Sequence, residues 1–364
     1  MAKTMIKIDK FLLVLVIVLS LLGLINFFSA SFYFSLKNFN NPYSYFQKFF
    51  LRITILGTIL FLLGNLLAKS LFRYKKLLIF LFFLFYFSIF LGFLPQFRLP
   101  EASAFRWVHL GFISFQPSEI IKPLAILFFI FLFSGLKKFS LIQKISIFIG
   151  ASLILLLPIY FQPSLSNVLI IFVSTLIVFV NYLKSTKEII FSGLVFLVFV
   201  LILVLVGNFW GYRKERILSF LTKGKIYEEK YFQVEQAISA VSSGGLFGKG
   251  LGKSEIKIIG LPQMLTDSIF AIYAEETGFF GSLILILLFF LLISRIIFIG
   301  AKSGDWQRSF SLAFAFWLFL QTFLHLSSNT GLFVPTGVIL PFFSYGPSGQ
   351  LAIYFSLGLV SRNE

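Results

Sequence analysis

The sequence has no cysteine, only two histidines and few charged residues. Of its 364 residues, 12% are Asp, Glu, Lys or Arg, against about 25% in ordinary soluble domains. Without cysteine, a disulfide framework and thiol catalysis are excluded, and His109 and His325 alone cannot form a histidine-rich metal site. Low charge together with 58% hydrophobic residues also excludes intrinsic disorder, which requires the opposite composition.

Long apolar blocks take the place of the missing charges. The mean hydropathy is +0.96, and a water-soluble fold of this length cannot bury so much apolar surface. A membrane-spanning helix needs about 20 apolar residues. We therefore predict an all-α, polytopic integral membrane protein that forms one membrane domain over residues 1–364. Ten blocks meet the length requirement, at residues 11–31, 49–68, 77–95, 117–136, 144–161, 164–183, 188–209, 266–294, 309–328 and 337–360.

Basic residues predict how these blocks cross the membrane. The net charge of +17 does not indicate a nucleic-acid binder, because the basic residues lie in short clusters between apolar blocks. If both termini are cytoplasmic, sixteen Lys and Arg fall in the cytoplasmic segments and four in the short outer segments. This bias agrees with the positive-inside rule. It places a large extracytoplasmic loop, residues 210–265, between helices 7 and 8.

The first part of this loop contains a predicted amphipathic helix. Tyr231, Val234, Ile238 and Val241 recur at spacings of three and four, which places them on one helical face. Such a helix lies flat at the membrane interface or covers the bundle as a lid.

A glycine-rich segment, Ser242 to Lys253, follows the helix. Glycine lets backbone N–H groups approach a phosphate closely, and Lys249 and Lys257 lie in or near the segment. Two interpretations remain open: a site for a lipid pyrophosphate, or a flexible turn.

An aspartate marks the predicted outer end of the eighth block. A carboxylate that enters a membrane span is costly and therefore a functional candidate. Asp267 is suited to accept a proton from a hydroxyl, to hold a cation, or to cap the helix together with Thr266. Further inward, Glu275 and Glu276 point in different directions on a helix, so at least one of them is expected to face the interior and pair with Lys or Arg.

Other polar motifs lie in the second outer segment, 96–116, and beside it. Arg106 and Trp107 are adjacent in this segment. Glu119 and Lys122 are three residues apart at the start of the fourth block, so they share a helix face and form either an internal salt bridge or a ligand site. Near the C-terminus, residues 341–349 interrupt the last block, and non-helical backbone at that depth must be buried in protein or line a cavity.

Taken together, these motifs resemble the SEDS family (shape, elongation, division and sporulation) of the RodA, FtsW and SpoVE type. The resemblance runs from about Arg106 to Leu359. The order and spacing of the motifs are more specific to this family than any single motif. The motifs are Arg106-Trp107, Phe115-Gln116-Pro117-Ser118-Glu119 with Lys122, Gln162-Pro163, Gln236-Ala237, Ser243-Gly244-Gly245-Leu246-Phe247-Gly248-Lys249-Gly250, Leu261-Pro262, Thr266-Asp267-Ser268-Ile269-Phe270-Ala271, Glu275-Glu276 with Gly278, and Leu340-Pro341-Phe342 with Ser344-Tyr345-Gly346 and Ser348.

The resemblance implies a peptidoglycan glycosyltransferase in the bacterial cytoplasmic (inner) membrane. It implies lipid II as donor and acceptor, undecaprenyl pyrophosphate as leaving group, and a class B penicillin-binding protein (a transpeptidase) as partner. It assigns the catalytic carboxylate to Asp267. The leaving pyrophosphate needs basic groups or a divalent cation, Mg²⁺ or Mn²⁺. The candidate substrate-binding residues are Arg106, Trp107, Glu119, Lys122, Arg213, Arg216, Gln236, Gly245, Lys249, Ser344 and Ser348.

Four positions depart from the family pattern, and two other functions therefore stay open. Ser164, Leu265, His325 and Pro347 stand where the family has aspartate, histidine, asparagine and glycine. Loss of such residues is compatible with a scaffold that recruits a penicillin-binding protein. A lipid II flippase is the other alternative, and it predicts charges along a route across the bilayer. The identifiable charges instead concentrate at the predicted outer end of the helices, which favours the enzyme.

Overall fold

A computed structural model describes residues 7–98, 105–111, 113–136, 138–162, 164–183, 185–207, 220, 228–259 and 263–362. The predicted α-helical class is confirmed, and a short antiparallel pair, β1 (Val108–His109) and β2 (Ser114–Phe115), accompanies the helices. A π-helical segment, Phe50–Ile55, joins α2 to α3. In chain order the α-helices are α1 (Lys10–Phe39), α2 (Ser44–Phe49), α3 (Leu56–Ala68), α4 (Lys75–Leu91), α5 (Pro117–Gly135), α6 (Leu141–Phe161), α7 (Leu165–Asn181), α8 (Thr186–Gly207), α9 (Glu228–Ser243), α10 (Ile256–Ile259), α11 (Ile269–Lys302), α12 (Asp305–Asn329) and α13 (Pro347–Val360).

The helices form two compact units. One comprises Met1–Tyr74 and Gln233–Glu364, and the other comprises Lys75–Phe232. Helices α1–α3 and α10–α13 therefore belong to the first unit, and α4–α8 belong to the second. The chain leaves the first unit after α3 and returns to it within α9.

Within the described residues, six helical segments are long and apolar enough to cross a membrane. The other four predicted blocks also form helices, as α4, α7, α8 and α13. The chain is thus a multi-pass membrane protein, while the count of ten crossings and the position of both termini stay predictions. The six segments are Lys10–Phe39, Ser44–Ala68, Pro117–Gly135, Leu141–Phe161, Ile269–Lys302 and Asp305–Asn329.

In the first unit, small residues let α3 and α13 pack closely. A Cβ atom added to Gly64 would meet the backbone N of Leu359 at 3.0 Å and the Cα of Gly358 at 3.1 Å. A Cβ atom on Gly358 would in turn lie 3.0 Å from the Cα of Phe61. The hydrophobic effect does not drive helices together inside a lipid bilayer, so their association depends on close van der Waals contact of this kind.

Near both ends of the described chain, Asp9 joins three elements of the first unit. Its Oδ1 accepts a hydrogen bond from the N–H of Leu12 at 2.9 Å and caps α1. The Arg295 guanidinium of α11 donates to both carboxylate oxygens of Asp9, at 2.9 and 2.5 Å. The Asp9 N–H donates to the carbonyl of Ser361 at 2.8 Å, so α1, α11 and the end of α13 are connected at one point.

The eighth predicted block is interrupted, contrary to the continuous helix expected over 266–294. Helix α11 begins at Ile269 and breaks at Gly278, which has φ 69° and ψ −163°. The break frees backbone groups that a helix normally pairs. The N–H of Phe279 donates to the carbonyl of Gly245 at 2.9 Å. The N–H of Phe280 donates to the carbonyl of Leu246 at 3.1 Å.

Residues 244–252, which we call the glycine loop, also form hydrogen bonds with the backbone carbonyls on the N-terminal side of the break. The N–H of Lys249 donates to the carbonyl of Glu275 at 2.9 Å. The N–H of Gly250 donates to the carbonyl of Glu276 at 3.0 Å. Unpaired backbone groups near lipid cost several kcal/mol each, so the glycine loop is what permits the break in α11.

We expect Gly278→Ala to destabilise the protein. A Cβ atom at this position would lie 2.7 Å from the carbonyl of Leu246, and a positive φ costs a residue other than glycine about 1–3 kcal/mol. Thermal unfolding of the detergent-purified protein measures the effect. Gly150→Ala in α6, where no atom lies within 4 Å of the added Cβ, is the control, and an equal result for both variants would contradict the role of the break.

Candidate functional site

Asp267 lies in a tight turn directly before α11. The carbonyl of Gln263 closes this turn by accepting hydrogen bonds from the N–H groups of Thr266 at 3.0 Å and Asp267 at 2.8 Å. Ser268 is the N-cap residue, and its side chain makes no capping hydrogen bond. The position expected of a capping aspartate is therefore taken by Ser268, and the half-buried Asp267 precedes it.

Three successive carbonyl groups of this turn are held by the C-terminal part of the first unit. The carbonyl of Leu265 accepts from the N–H of Tyr345 at 2.8 Å. The carbonyl of Thr266 accepts from the Ser344 hydroxyl at 2.6 Å. The carbonyl of Asp267 itself accepts from the Asn329 Nδ2 at 2.9 Å. The backbone that carries the Asp267 carboxylate is thus held at three consecutive residues.

The segment that holds this turn is itself non-helical and buried. Helix α13 begins at Pro347, so residues 337–346 of the tenth predicted block are not helical. Residues 340–344 are buried, as expected for irregular backbone at membrane depth. The Gln350 side chain satisfies them by accepting from the N–H of Phe342 at 2.8 Å and donating to the carbonyls of Leu340 and Ser344 at 2.9 and 3.0 Å.

Glu275 and Glu276 are both buried and both paired with lysine, which confirms the expected pairing. The Glu276 carboxylate accepts from the Lys257 Nζ at 2.7 Å and from the Ser29 hydroxyl at 2.6 Å. The Glu275 carboxylate accepts from the Lys249 Nζ at 2.8 Å. A buried charge is tolerated only when it is paired and hydrogen-bonded. These glutamates therefore connect α11 to the segments before it.

The glycine loop is a structural element of the first unit. The N–H groups of Lys249 and Gly250 are bonded to α11, and the Lys249 Nζ also lies 3.0 Å from the Glu255 carboxylate. Hydrogen bonds to Glu275 and then to Glu255 raise the pKa of Lys249, so it is a cation at neutral pH. The described contacts show the glycine loop holding α11 by hydrogen bonds, which favours a structural role over a phosphate-binding one. Gly245 and Lys249 are therefore not part of the substrate site proposed below.

Helix α9 confirms the helix expected in the large loop, with a different buried face. Among residues 232–243, for which exposure is described, Val234, Ala237 and Ala240 are buried, whereas Ile238 and Val241 are half-buried. The side chain of Tyr231 lies outside the described part of the chain. Gln236 is half-buried as well. The buried face includes Ala237 and Ala240, which the spacing of the larger apolar residues did not predict.

The second unit contains the predicted pair of Glu119 and Lys122. The Lys122 Nζ lies 2.7 Å from the Glu119 Oε2, and the two side chains are 1% and 9% exposed. Ser118, also buried, accepts hydrogen bonds from Gln116 Nε2 and Asn167 Nδ2, each at 3.2 Å. The pair is an internal salt bridge at the start of α5, which was one of the two interpretations of its spacing.

We expect Lys122→Ala to reduce the amount of folded protein. The substitution leaves the buried Glu119 carboxylate without this cation, and breaking a buried pair typically costs about 3–5 kcal/mol. Size-exclusion chromatography of the membrane extract measures the folded fraction. Lys138→Ala removes an exposed lysine and should change nothing, and the pair is unimportant if both variants match the parent in abundance and activity.

The remaining sequence-predicted site residues fall into three groups. Arg106 and Trp107 are half-buried just before β1 in the second unit. Ser348 is buried in the first turn of α13. Arg213 and Arg216 lie outside the described residues.

The four departures from the family pattern occupy ordinary structural positions. Ser164 is the N-cap residue of α7, and Pro347 is the first residue of α13. Leu265 is buried in the Asp267 turn. His325 is fully buried, and its Nδ1 lies 2.7 Å from the carbonyl of Val338.

Asn329 is the site residue that the sequence reasoning missed. It is the last residue of α12 and is 2% exposed. Its Nδ2 contacts the carbonyls of Asp267 and His325, each at 2.9 Å. An amide at the end of an apolar helix, followed by Thr330 and Gly331, was the available signal. Its partner is 62 residues away in sequence, which no local pattern reveals.

Similarity to known proteins extends over nearly the whole chain. The sequence profile of the FtsW, RodA and SpoVE family, described as cell cycle protein, matches residues 9–364. A relative from Wigglesworthia glossinidia brevipalpis, named probable peptidoglycan glycosyltransferase FtsW, is 35% identical over 98% of this chain and 93% of its own. A relative from Coxiella burnetii with the same name is 31% identical, over 97% of this chain and 95% of its own.

Solved structures share the fold. A chain from a peptidoglycan synthase complex superposes with a TM-score of 0.73 at 24% identity, covering 97% of this chain and 96% of that one. The rod shape determining protein RodA of Thermus thermophilus superposes with a TM-score of 0.66 at 24% identity, covering 97% and 95% of the two chains. From the profile match over residues 9–364 and the relatives above 30% identity, the chain belongs to the FtsW, RodA and SpoVE family of cell cycle proteins.

Proposed function

We propose that this protein is a peptidoglycan glycosyltransferase that polymerises lipid II into β-1,4 glycan strands at the outer face of the bacterial cytoplasmic membrane. Its family and the names of its relatives support this reaction. The observation that carries the proposal is the Asp267 turn, which presents a carboxylate on backbone held at three consecutive carbonyls. The reaction would serve cell division or elongation.

In the proposed mechanism Asp267 is the general base. Its carboxylate accepts the proton of the 4-hydroxyl on the acceptor N-acetylglucosamine. The freed oxygen attacks the anomeric carbon of the donor N-acetylmuramic acid, and the bond to undecaprenyl pyrophosphate breaks. One displacement inverts an α-linked donor into a β-1,4 product, so a single base is sufficient.

The leaving pyrophosphate gathers negative charge and needs cationic stabilisation. Arg106, Arg213 and Arg216 stay the predicted contributors, whereas Lys122 is paired with Glu119 inside the second unit. Among the residues that the structure describes, no group of three or more His, Cys, Asp or Glu side chains could hold a metal ion.

The proposed reaction also requires a particular membrane topology and a partner that crosslinks the product. Lipid-linked sugars at the outer face require residues 210–265 to be extracytoplasmic, with both termini in the cytoplasm. A class B penicillin-binding protein would crosslink the new strands. The fold shared with a chain of a peptidoglycan synthase complex supports such an assembly.

We expect a cysteine introduced at Ser242 to be labelled from outside the cell. Ser242 is exposed at the end of α9, and the natural chain has no other cysteine. Cells with a permeabilised outer membrane are treated with a membrane-impermeant maleimide. A cysteine at Ser303, after α11, should react only after lysis, and the reverse pattern would overturn the proposed topology.

The activity itself is tested with the purified protein, lipid II and its penicillin-binding partner. Long glycan strands on a gel are the expected product. A flippase would move labelled lipid II across vesicle membranes without making polymer, and a scaffold would do neither. Either result would overturn the proposed enzyme.

A further inference from the structure

The tip of the glycine loop carries large apolar side chains that the described protein does not cover. Leu246, Phe247 and Leu251 are 60%, 79% and 64% exposed. A water-facing loop rarely presents such side chains together, and an exposed apolar patch marks an interaction site. Whether lipid or water surrounds this patch depends on its position along the membrane normal.

The exposure pattern of α11 locates the edge of the hydrocarbon core. From Ile269 to Glu276 every residue of α11 is buried. The large exposed apolar side chains of the helix begin at Phe279 and end at Phe298. At 1.5 Å per residue these positions are about 29 Å apart, which matches the hydrocarbon core of about 30 Å. One edge of that core therefore lies at Phe279, directly after the break at Gly278.

The glycine loop is attached to α11 at this same height. The carbonyls of Gly245 and Leu246 accept hydrogen bonds from the N–H groups of Phe279 and Phe280. The rings of Phe247 and Phe280 have centroids 5.3 Å apart. Because Phe280 is among the first lipid-exposed residues of the helix, Phe247 lies at the edge of the same apolar band.

We propose that the tip of the glycine loop inserts into the lipid bilayer as an interfacial anchor. Leu246, Phe247 and Leu251 enter the acyl-chain edge, since aromatic and aliphatic side chains are favoured at that depth. The exposed Lys253, directly after the glycine loop, is placed for the phosphates of lipid head groups. The anchor continues the lipid-facing surface of α11, and it holds whether or not Asp267 is catalytic.

Site-directed spin labelling tests this anchor in the full-length chain. The natural sequence lacks cysteine, so Phe247→Cys carries a single nitroxide in nanodiscs of phosphatidylethanolamine and phosphatidylglycerol. Collisions with oxygen, which concentrates in hydrocarbon, are compared with collisions with a water-soluble nickel chelate. Phe280→Cys in the lipid-facing band and the exposed Ser242→Cys at the end of α9 are the matched controls.

We expect oxygen collisions to exceed nickel collisions at 247, as at 280, and the ratio to reverse at 242. Leu246→Cys should behave as Phe247→Cys and serves if the latter does not fold. A nickel-accessible label at both 246 and 247 would overturn the proposal. So would a label that nickel reaches in the isolated chain and that is shielded only after a partner protein is added, because the patch would then be a protein interface.

Discussion

Replacing Asp267 by asparagine is expected to abolish glycan polymerisation and to leave the folded protein intact. Asparagine keeps the size of the side chain, and the three hydrogen bonds that hold the turn go to backbone carbonyls of residues 265–267, which the substitution retains. It removes the proton acceptor, and a positioned general base contributes roughly 10²–10⁴-fold in rate. Gel analysis of glycan strands made from lipid II measures this loss.

The matched control is Asp305→Asn, which changes an exposed aspartate in the first turn of α12. This change keeps the size of the side chain and removes one exposed charge near the helix N-terminus, which contributes about 0.3–1 kcal/mol, so the variant should retain parental activity and nearly parental stability. If Asp267→Asn also makes long strands at a near-parental rate, Asp267 is not the base. In that case the scaffold function, or another carboxylate such as Glu119 or Glu276, replaces the present assignment.

The second large effect is expected from Glu276→Gln. Glu276 and Lys257 are 2.7 Å apart, and each side chain is 1% exposed. Glutamine can still accept a hydrogen bond from Ser29, but it leaves the lysine charge buried and unpaired. Breaking a buried pair in this way costs about 3–5 kcal/mol, a large part of the stability of a typical domain. Thermal unfolding in detergent should shift to much lower temperature.

Two further variants separate the buried pair from its surroundings. Glu255→Gln removes a carboxylate that is 74% exposed and 3.0 Å from Lys249, and surface pairs of this kind contribute about 0–1 kcal/mol. Combining Glu276→Gln with Lys257→Met removes both buried charges and should recover most of the loss. A single Glu276→Gln variant as stable as Glu255→Gln would show that the pair does not hold α11 in place.

Several features of the site were predictable because they depend on short-range spacing. Glu119 and Lys122 share a helix face at a separation of three residues, and they form the expected ion pair. Glu275 and Glu276 could not both face lipid, and both are paired with lysine. The sequence did not name their partners among the nearby lysines, since that choice depends on how the segment before α11 folds back onto it.

The Asp267 turn shows where sequence reasoning ends. Its residues and its place before a long apolar helix were evident from the pattern. The groups that hold it, Asn329, Ser344 and Tyr345, come from 62 to 80 residues further along the chain. Such contacts depend on the path of α12 and of the non-helical segment after it, and no local periodicity encodes that path.

The sequence by itself determined the helical membrane class, the order of the apolar helices and the candidate aspartate. Length and hydrophobicity are sufficient for this, because lipid forces each apolar segment to satisfy its own backbone as a helix. Only the tertiary structure decided that α11 breaks at Gly278 and that the glycine loop pairs the freed groups. A single glycine in an apolar run is compatible with a straight helix or a break. The hydrogen bonds that satisfy the backbone groups freed by the break come from a loop about 30 residues earlier in the chain.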